Sequence, residues 1–286
     1  MNQYAEQIAQ ELSLDAKNVQ GAIDLIDAGN TIPFIARYRK EATGSMDDQA
    51  LRTLGDRLEY LRGLDKRKGE VEASISEQGA LTPELSQALA AAKTLAEVED
   101  IYRPYKPKRK TRASVARARG LQPLADAIFA QKADFDPEAA AAAYCNAEVP
   151  DAAAALAGAQ DIMAETISDD ARCRAELRRY YRAFGQIRST AAKKEDSVYA
   201  PYYDYSEPLA KLPGHRVLAL DRGEREGFLK VGIAVDAERA AAITVWMFAR
   251  KKTGGASALL VEQAAKDAYA RLIHPRLENE LRAELP

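Results

Sequence analysis

The sequence predicts a mainly α-helical protein: a multi-helix region with a helix-turn-helix-like module, and a small α/β element near 210–250. Three observations predict it. Apolar residues recur at three- and four-residue steps over the first two thirds of the chain. Capping residues stand where several of those runs begin. Only beyond Ala192 do short β-branched and aromatic runs replace the helical period.

Taken in order, Tyr4, Ile8 and Leu12 mark a first helix, and Val19, Ile23 and Ile26 a second, with Asp15 placed to cap it and Gly29 to end it. The segment TIPFIARYRKEATG (31–44) is a short helix, Pro33 being tolerated in its first turn. It follows its predecessor through a tight Gly29-Asn30 turn, the spacing of a helix-turn-helix. A long helix is expected over 47–78, with Leu51, Leu54, Leu58, Leu61, Leu64, Val71 and Ile75 as its apolar stripe and Gly79 as its stop. Gly55, Gly63 and Gly69 each weaken that helix by roughly 1 kcal/mol relative to alanine, so packing within the molecule must hold it.

Thr82-Pro83-Glu84 opens the next helix in the order cap, proline, acid. Another runs from Thr94 toward Tyr102, until Pro104 and Pro107 break the period in RPYKPKRKTR. Helices resume near Ser114, Leu121 and Pro137. A long alanine-rich pair then spans Asp151 to about Ser189, with Ile162, Met163, Ile167, Leu177, Tyr181 and Phe184 as its expected buried face. Four tyrosines and three prolines in KKEDSVYAPYYDYSEPLAKLPG indicate an extended arm. PGHRVLALDRGEREG opens a helix, FLKVGIAV and AAITVWMFA suit a short hairpin, and a last helix runs from Ala256. That helix meets the end of the sequence without a glycine cap, so the chain is expected to be cut inside a longer protein. The expected division is a helical domain over 1–190, an extended linker over 191–212 and an α/β element with its terminal helix over 213–286.

Composition narrows the function. The 286 residues are 47% apolar and 29% charged, with a formal charge of −2, which is globular composition and not that of a uniformly basic binder. Two cysteines (Cys145, Cys173) and two histidines (His215, His274) exclude zinc-finger and disulfide scaffolds. No apolar run approaches a membrane span, and the N-terminus lacks a secretory pattern. A soluble, reduced, cytoplasmic protein is expected, with no cofactor and no metal. Phosphate-loop and dinucleotide fingerprints are missing from the sequence.

The strongest local anomaly is Ile101–Gly120. It holds Arg103, Lys106, Lys108, Arg109, Lys110, Arg112, Arg117 and Arg119 and no acid, leaving the rest of the chain at −10. Such segregation makes a positive field that the total conceals. Tyr102 and Tyr105 interleave with the cations and offer faces for unpaired bases. The functional reading is contact with a phosphate backbone, which needs cations but no base-reading geometry. The competing reading is a solvated or acid-paired loop, with Glu97, Glu99 and Asp100 just upstream. A second cationic group, Arg37, Arg39 and Lys40, invites the same two readings. Asp221-Arg222-Gly223 after an apolar run mimics the opening of an RNase-H-like nuclease. That chemistry needs several converging carboxylates and two metals, so a surface turn is the expectation there and no catalytic residue is assigned.

In TIPFIARYRKEATG (31–44), LAEVEDIYRPYKPKRKTRASVARARGLQPLA (95–125) and YDYSEPLAKLPGHRVLALDRGEREGFLKV (203–231), the chain resembles the bacterial Tex family of transcription accessory proteins, over essentially all its length but only that family's N-terminal part. The resemblance implies a mostly helical fold with a helix-turn-helix-like module, and a cytoplasmic, non-enzymatic protein that binds nucleic acid. It further implies C-terminal RNase-H-like, helix-hairpin-helix and OB-type domains beyond these residues. The expected function is a scaffold in a transcription-associated nucleic-acid-binding protein, with RNA or DNA backbone contacts from the 103–119 loop. Transcription machinery and the C-terminal domains of the same protein are further expected partners. The alternative is a protein-interaction module that docks on that machinery without touching nucleic acid.

Overall fold

A computed structural model describes residues 2–106, 110–193, 195–250, 252 and 255–285. The chain divides into two compact units, Met1–Tyr102 and Arg103–Pro286.

The first unit is entirely helical: α1 (Gln3–Leu12), α2 (Ala16–Asp27), α3 (Ile32–Tyr38), α4 (Asp48–Glu77), α5 (Pro83–Ala91) and α6 (Leu95–Tyr102). The starts are those the capping residues dictate. The Asp15 carboxylate accepts from the Lys17 and Asn18 amides, Asp47 from Ala50, and the Thr82 hydroxyl from Leu85. All seven stripe residues of α4 are buried within the chain, so the stripe is core. Its first half meets Ile8, Val19, Ile23 and Ile35 from α1–α3. Its second half lies against α5 and α6, which bury Leu89 and Val98. Each such aliphatic side chain contributes about 1.5–3 kcal/mol when fully buried, which offsets the helix-weakening glycines.

Between α3 and α4 the chain makes a tight loop that returns onto α2. The Ser45 amide donates to the Lys40 carbonyl at 2.8 Å, and Thr43 is fully buried. Gly21 of α2 makes room for it: a Cβ there would lie 2.1 Å from the Ala42 carbonyl oxygen.

The second unit contains α7 (Arg112–Ala118), α8 (Gln122–Ala130), α9 (Pro137–Ala141), α10 (Ala152–Asp169), α11 (Ala171–Phe184), β1 (Gln186–Ala191), β2 (Asp204–Pro208), α12 (Gly214–Arg225), β3 (Leu229–Ala234), α13 (Ala237–Phe248), α14 (Gly255–Asp267) and α15 (His274–Ala283). Two cores hold it. One joins α7, α8, α10 and α14 through Leu121, Leu124, Ile128, Ile162, Met163, Ile167 and Val261. The other joins α11, α12, α15 and the sheet through Leu177, Tyr181, Ile187, Leu220, Ile233, Ile273 and Leu277. Because α10 and α11 pack on elements that come after residue 190, they belong to the unit that begins at Arg103.

The sheet is antiparallel in the order β2-β1-β3, with Ile187 opposite Ile233 and Glu207. Three expectations are corrected here. FLKVGIAV does form β3, but AAITVWMFA is no strand, and all but its last residue lies in α13. Asp236 caps that helix by accepting from the Arg239 amide at 3.0 Å, its alanines favour the helix, and burial of Ala240, Thr244 and Val245 overrides the β-branched propensity. The partner of β3 is β1, and β2 comes from the segment expected as linker. Phe184 is 61% exposed, because it is the last residue of α11 and leaves the core there.

Between α14 and α15 the rod continues through a π-helical turn, Ala268–Ile273. Pro275 lacks the amide that an α-helix would direct at the Arg271 carbonyl, and the widened turn accommodates its ring. Ala264, Ala265 and Ala268 face the first core, and Tyr269, Ile273, Leu277 and Leu281 the second. Among the described residues no helix is long and apolar enough to cross a membrane.

Cys173 is fully buried in α11, and desolvation pushes its thiol up to about 12, whereas Cys145 is exposed. Iodoacetamide at neutral pH is therefore expected to label Cys145 alone in the native protein and both thiols in urea; native labelling of Cys173, read by peptide mass, would contradict this packing.

Candidate functional site

The basic tract opens the second unit, and its cations meet different fates. Arg103 sits in a short 3₁₀ turn (Arg103–Tyr105) and is only 12% exposed in its side chain. Its guanidinium donates to Glu280 at 3.2 Å, as do Arg174 at 2.7 Å and Arg178 at 3.2 Å. Arg174 is completely buried. Glu280 of α15 is thus a hub for three guanidiniums, and Arg103 belongs to the interior framework.

Thr111 caps α7 in a reciprocal box with Ser114, and its hydroxyl donates to Glu165 of α10 at 3.0 Å. The other oxygen of Glu165 takes Arg117 at 2.5 Å, so Arg117 too is structural. Arg119 stands 3.9 Å from Glu148 with both side chains largely exposed, a contact of little energetic weight. Lys106, Lys110 and Arg112 are exposed. Lys108 and Arg109 lie outside the described residues.

Two of the three acids upstream of the tract have partners within the first unit, and the third, Asp100, is buried. Glu97 accepts from the Lys93 amide at 2.6 Å, and Glu99 from Arg67 at 2.7 Å. Tyr102 is held there as well, its hydroxyl 2.8 Å from Ser74 and its ring 5.5 Å from the Arg67 guanidinium. Tyr102 is only partly exposed.

Arg103, Lys106 and Arg112 line a pocket of about 310 Å³ together with Asp161, Glu165, Asp169, Arg271 and Arg276. Five cations face three carboxylates there. Burial pushes the Asp161 carboxyl up, and Arg271 and Arg112 oppose that shift. Arg271 is bound to Asp267 and Asp161, whereas Arg276 is exposed at the start of α15. Neither Arg271 nor Arg276 is visible as a site residue in the sequence, where RLIHPRLENE reads as ordinary helix; only Pro275 hints at a local irregularity.

The second cationic group stands on the first unit. Asn30 closes the α2–α3 turn, with Gly29 at φ +82° and the Asn30 amide and side chain both donating to the Leu25 carbonyl. Arg37, Arg39 and Lys40 at the end of α3 are all exposed, and among the described residues none has an ion-pair partner. Asp221, the nuclease mimic, lies on α12, exposed, with Arg282 at 3.4 Å. The strand geometry of a metal-dependent nuclease is not present at that position. Among the described residues no group of three or more His, Cys, Asp or Glu side chains is arranged to hold a metal ion.

Two family models match the chain. Residues 2–76 match the family described as Tex-like protein N-terminal domain, and residues 132–286 the one described as Tex central region-like. The chain is 49% identical over 237 residues to Protein tex of Bordetella pertussis, covering 81% of this chain and 30% of that protein. It is 44% identical over 229 residues to Transcriptional accessory protein Tex of Neisseria gonorrhoeae, covering 79% and 30%. With human S1 RNA-binding domain-containing protein 1 it shares 28% identity over 281 residues, covering 92% and 28%. The chain thus spans less than a third of the length of each of these relatives.

Proposed function

The chain belongs to the Tex family, and from that premise we propose that it is a non-enzymatic scaffold of a transcription-associated, nucleic-acid-binding protein, touching the phosphate backbone through its basic tract. The relatives' names, a transcriptional accessory protein and an S1 RNA-binding domain protein, support the association with transcription and nucleic acid. What carries the contact is the residual field of the tract. Arg103 and Arg117 are bound to Glu280 and Glu165, while Lys110, Arg112 and Arg119 are exposed, and Arg276 shares one pocket with Arg112. Cations held by an ordered framework lose little entropy on meeting a polyanion.

If three to four phosphates are neutralised, log affinity falls with log salt at a slope of about −3 to −4. Charge reversal of Lys110, Arg112 and Arg276 to glutamate should flatten that slope by about one unit per lost contact. A slope unchanged by the reversal would remove the tract from the interface.

A second reading, a protein-docking module, is favoured by Trp246. It is 81% exposed on α13 beside a groove lined by Val245, Tyr269 and Ala270. An exposed tryptophan is a frequent anchor of protein interfaces. Under that reading the salt slope is near zero and the charge reversal is silent.

A further inference from the structure

The exposed end of α3 combines two features that its cations alone do not explain. Phe34 and Tyr38, one helical turn apart, are 38% and 64% exposed, with ring centroids 5.2 Å apart and planes inclined by 46°. Large aromatic side chains left in water are the informative exception on a protein surface. Around them stand Arg37, Arg39 and Lys40, and the Arg39 guanidinium lies 5.9 Å from the Phe34 centroid. Glu41 is the acid next in sequence, and it makes no ion pair with them. The loop that carries Arg39 and Lys40 is fixed by the buried Thr43, whose hydroxyl donates to the Arg39 carbonyl at 3.3 Å, and by the close approach of Ala42 to Gly21.

We propose that Phe34 and Tyr38, flanked by Arg37, Arg39 and Lys40, form a stacking platform for the unpaired bases of a single-stranded nucleic acid. Rings that accept base faces, beside cations that track the backbone, are the chemistry of single-strand recognition. A duplex hides those faces and shows a protein only base edges and phosphates. The helix-turn-helix use of α3 is disfavoured by its own residues. A recognition helix reads base edges with its N-terminal side chains, and here these are Ile32, Pro33 and Phe34, which carry no hydrogen-bonding group. The platform rests on the nucleic-acid reading proposed above but not on the 103–119 tract, so each fails separately.

The test is fluorescence anisotropy of the whole chain with labelled deoxythymidine and uridine oligomers of about 20 nucleotides, against a mixed-sequence duplex of about the same length. The single strands should bind more tightly than the duplex at equal salt. The pair Phe34→Leu and Tyr38→Leu, which keeps bulk and charge, should weaken single-strand binding about tenfold or more and leave the salt slope and the duplex affinity alone. Tyr38→Trp, with a larger ring, should tighten single-strand binding, a gain that a folding defect cannot imitate. Duplex binding as tight as single-strand binding, or leucine variants with undiminished single-strand affinity, would overturn the platform even if the tract reversal behaves as expected. Absence of binding to all three probes at low salt would overturn the platform and the nucleic-acid reading together. Tyr38-dependent binding of a protein that survives nuclease, with oligomer binding unaffected by the leucine pair, would assign the patch to a protein instead.

Discussion

Gly21→Ala is expected to destabilise the first unit by about 2–4 kcal/mol, one of the two largest effects a single substitution should have here. The added methyl would sit 2.1 Å from the Ala42 carbonyl oxygen, and what it meets is main chain and not the end of a flexible side chain. Either α2 shifts away from the loop or the loop gives up its bonds to Thr43 and Ser45. Gly63→Ala in α4 is the matched control: nothing lies within 4 Å of the new methyl, and the helix should gain about 0.5–1 kcal/mol. Urea unfolding followed by circular dichroism reads both, and equal midpoints for the two variants would refute the close approach. Since the same loop carries Arg39 and Lys40, the Gly21 variant should also blur the cation positions beside Tyr38.

Glu280→Ala is the second large effect. The carboxylate collects Arg103, Arg174 and Arg178, and Arg174 has no solvent-exposed surface. Removing one partner of a buried ion pair costs about 3–5 kcal/mol, because the desolvated charge remains. The Glu280 side chain is itself one third exposed, and water admitted there lowers the expected loss to about 2–4 kcal/mol. Arg182→Ala, which breaks a surface pair with Glu284, should cost under about 0.5 kcal/mol. Thermal unfolding compares the two, and similar melting temperatures would show that Glu280 is no hub.

What was legible in the sequence is what depends on near neighbours. Asp15, Asp47 and Thr82 cap the helices they precede, and the α4 stripe from Leu51 to Ile75 is buried throughout, because both signals act within one or two turns. What misled depended on distant partners. β3 pairs with β1, some forty residues earlier, while its neighbour α13 obeys an N-cap and burial more than β propensity. The tract shows the same limit. Eight like charges are visible in a string of letters, but the capture of Arg103 by Glu280 and of Arg117 by Glu165 is decided by α15 and α10. Arg276 reaches the pocket only because the chain returns from far downstream.

The widened coil at Ala268–Ile273 sets a constraint on length as well as on composition. Each residue of an α-helix turns the rod by about 100°, so one additional residue within a single winding re-indexes everything after it. That offset lets one uninterrupted rod present alanines to one apolar interior and Ile273, Leu277 and Leu281 to the other. It also aims Glu280 at its three arginines. Excising a single residue between Ala268 and Ile273 would close the turn to ordinary winding and leave Glu280 on the face it holds now, whereas excising one between Pro275 and Glu280 would rotate Glu280 by about 100° away from its arginines.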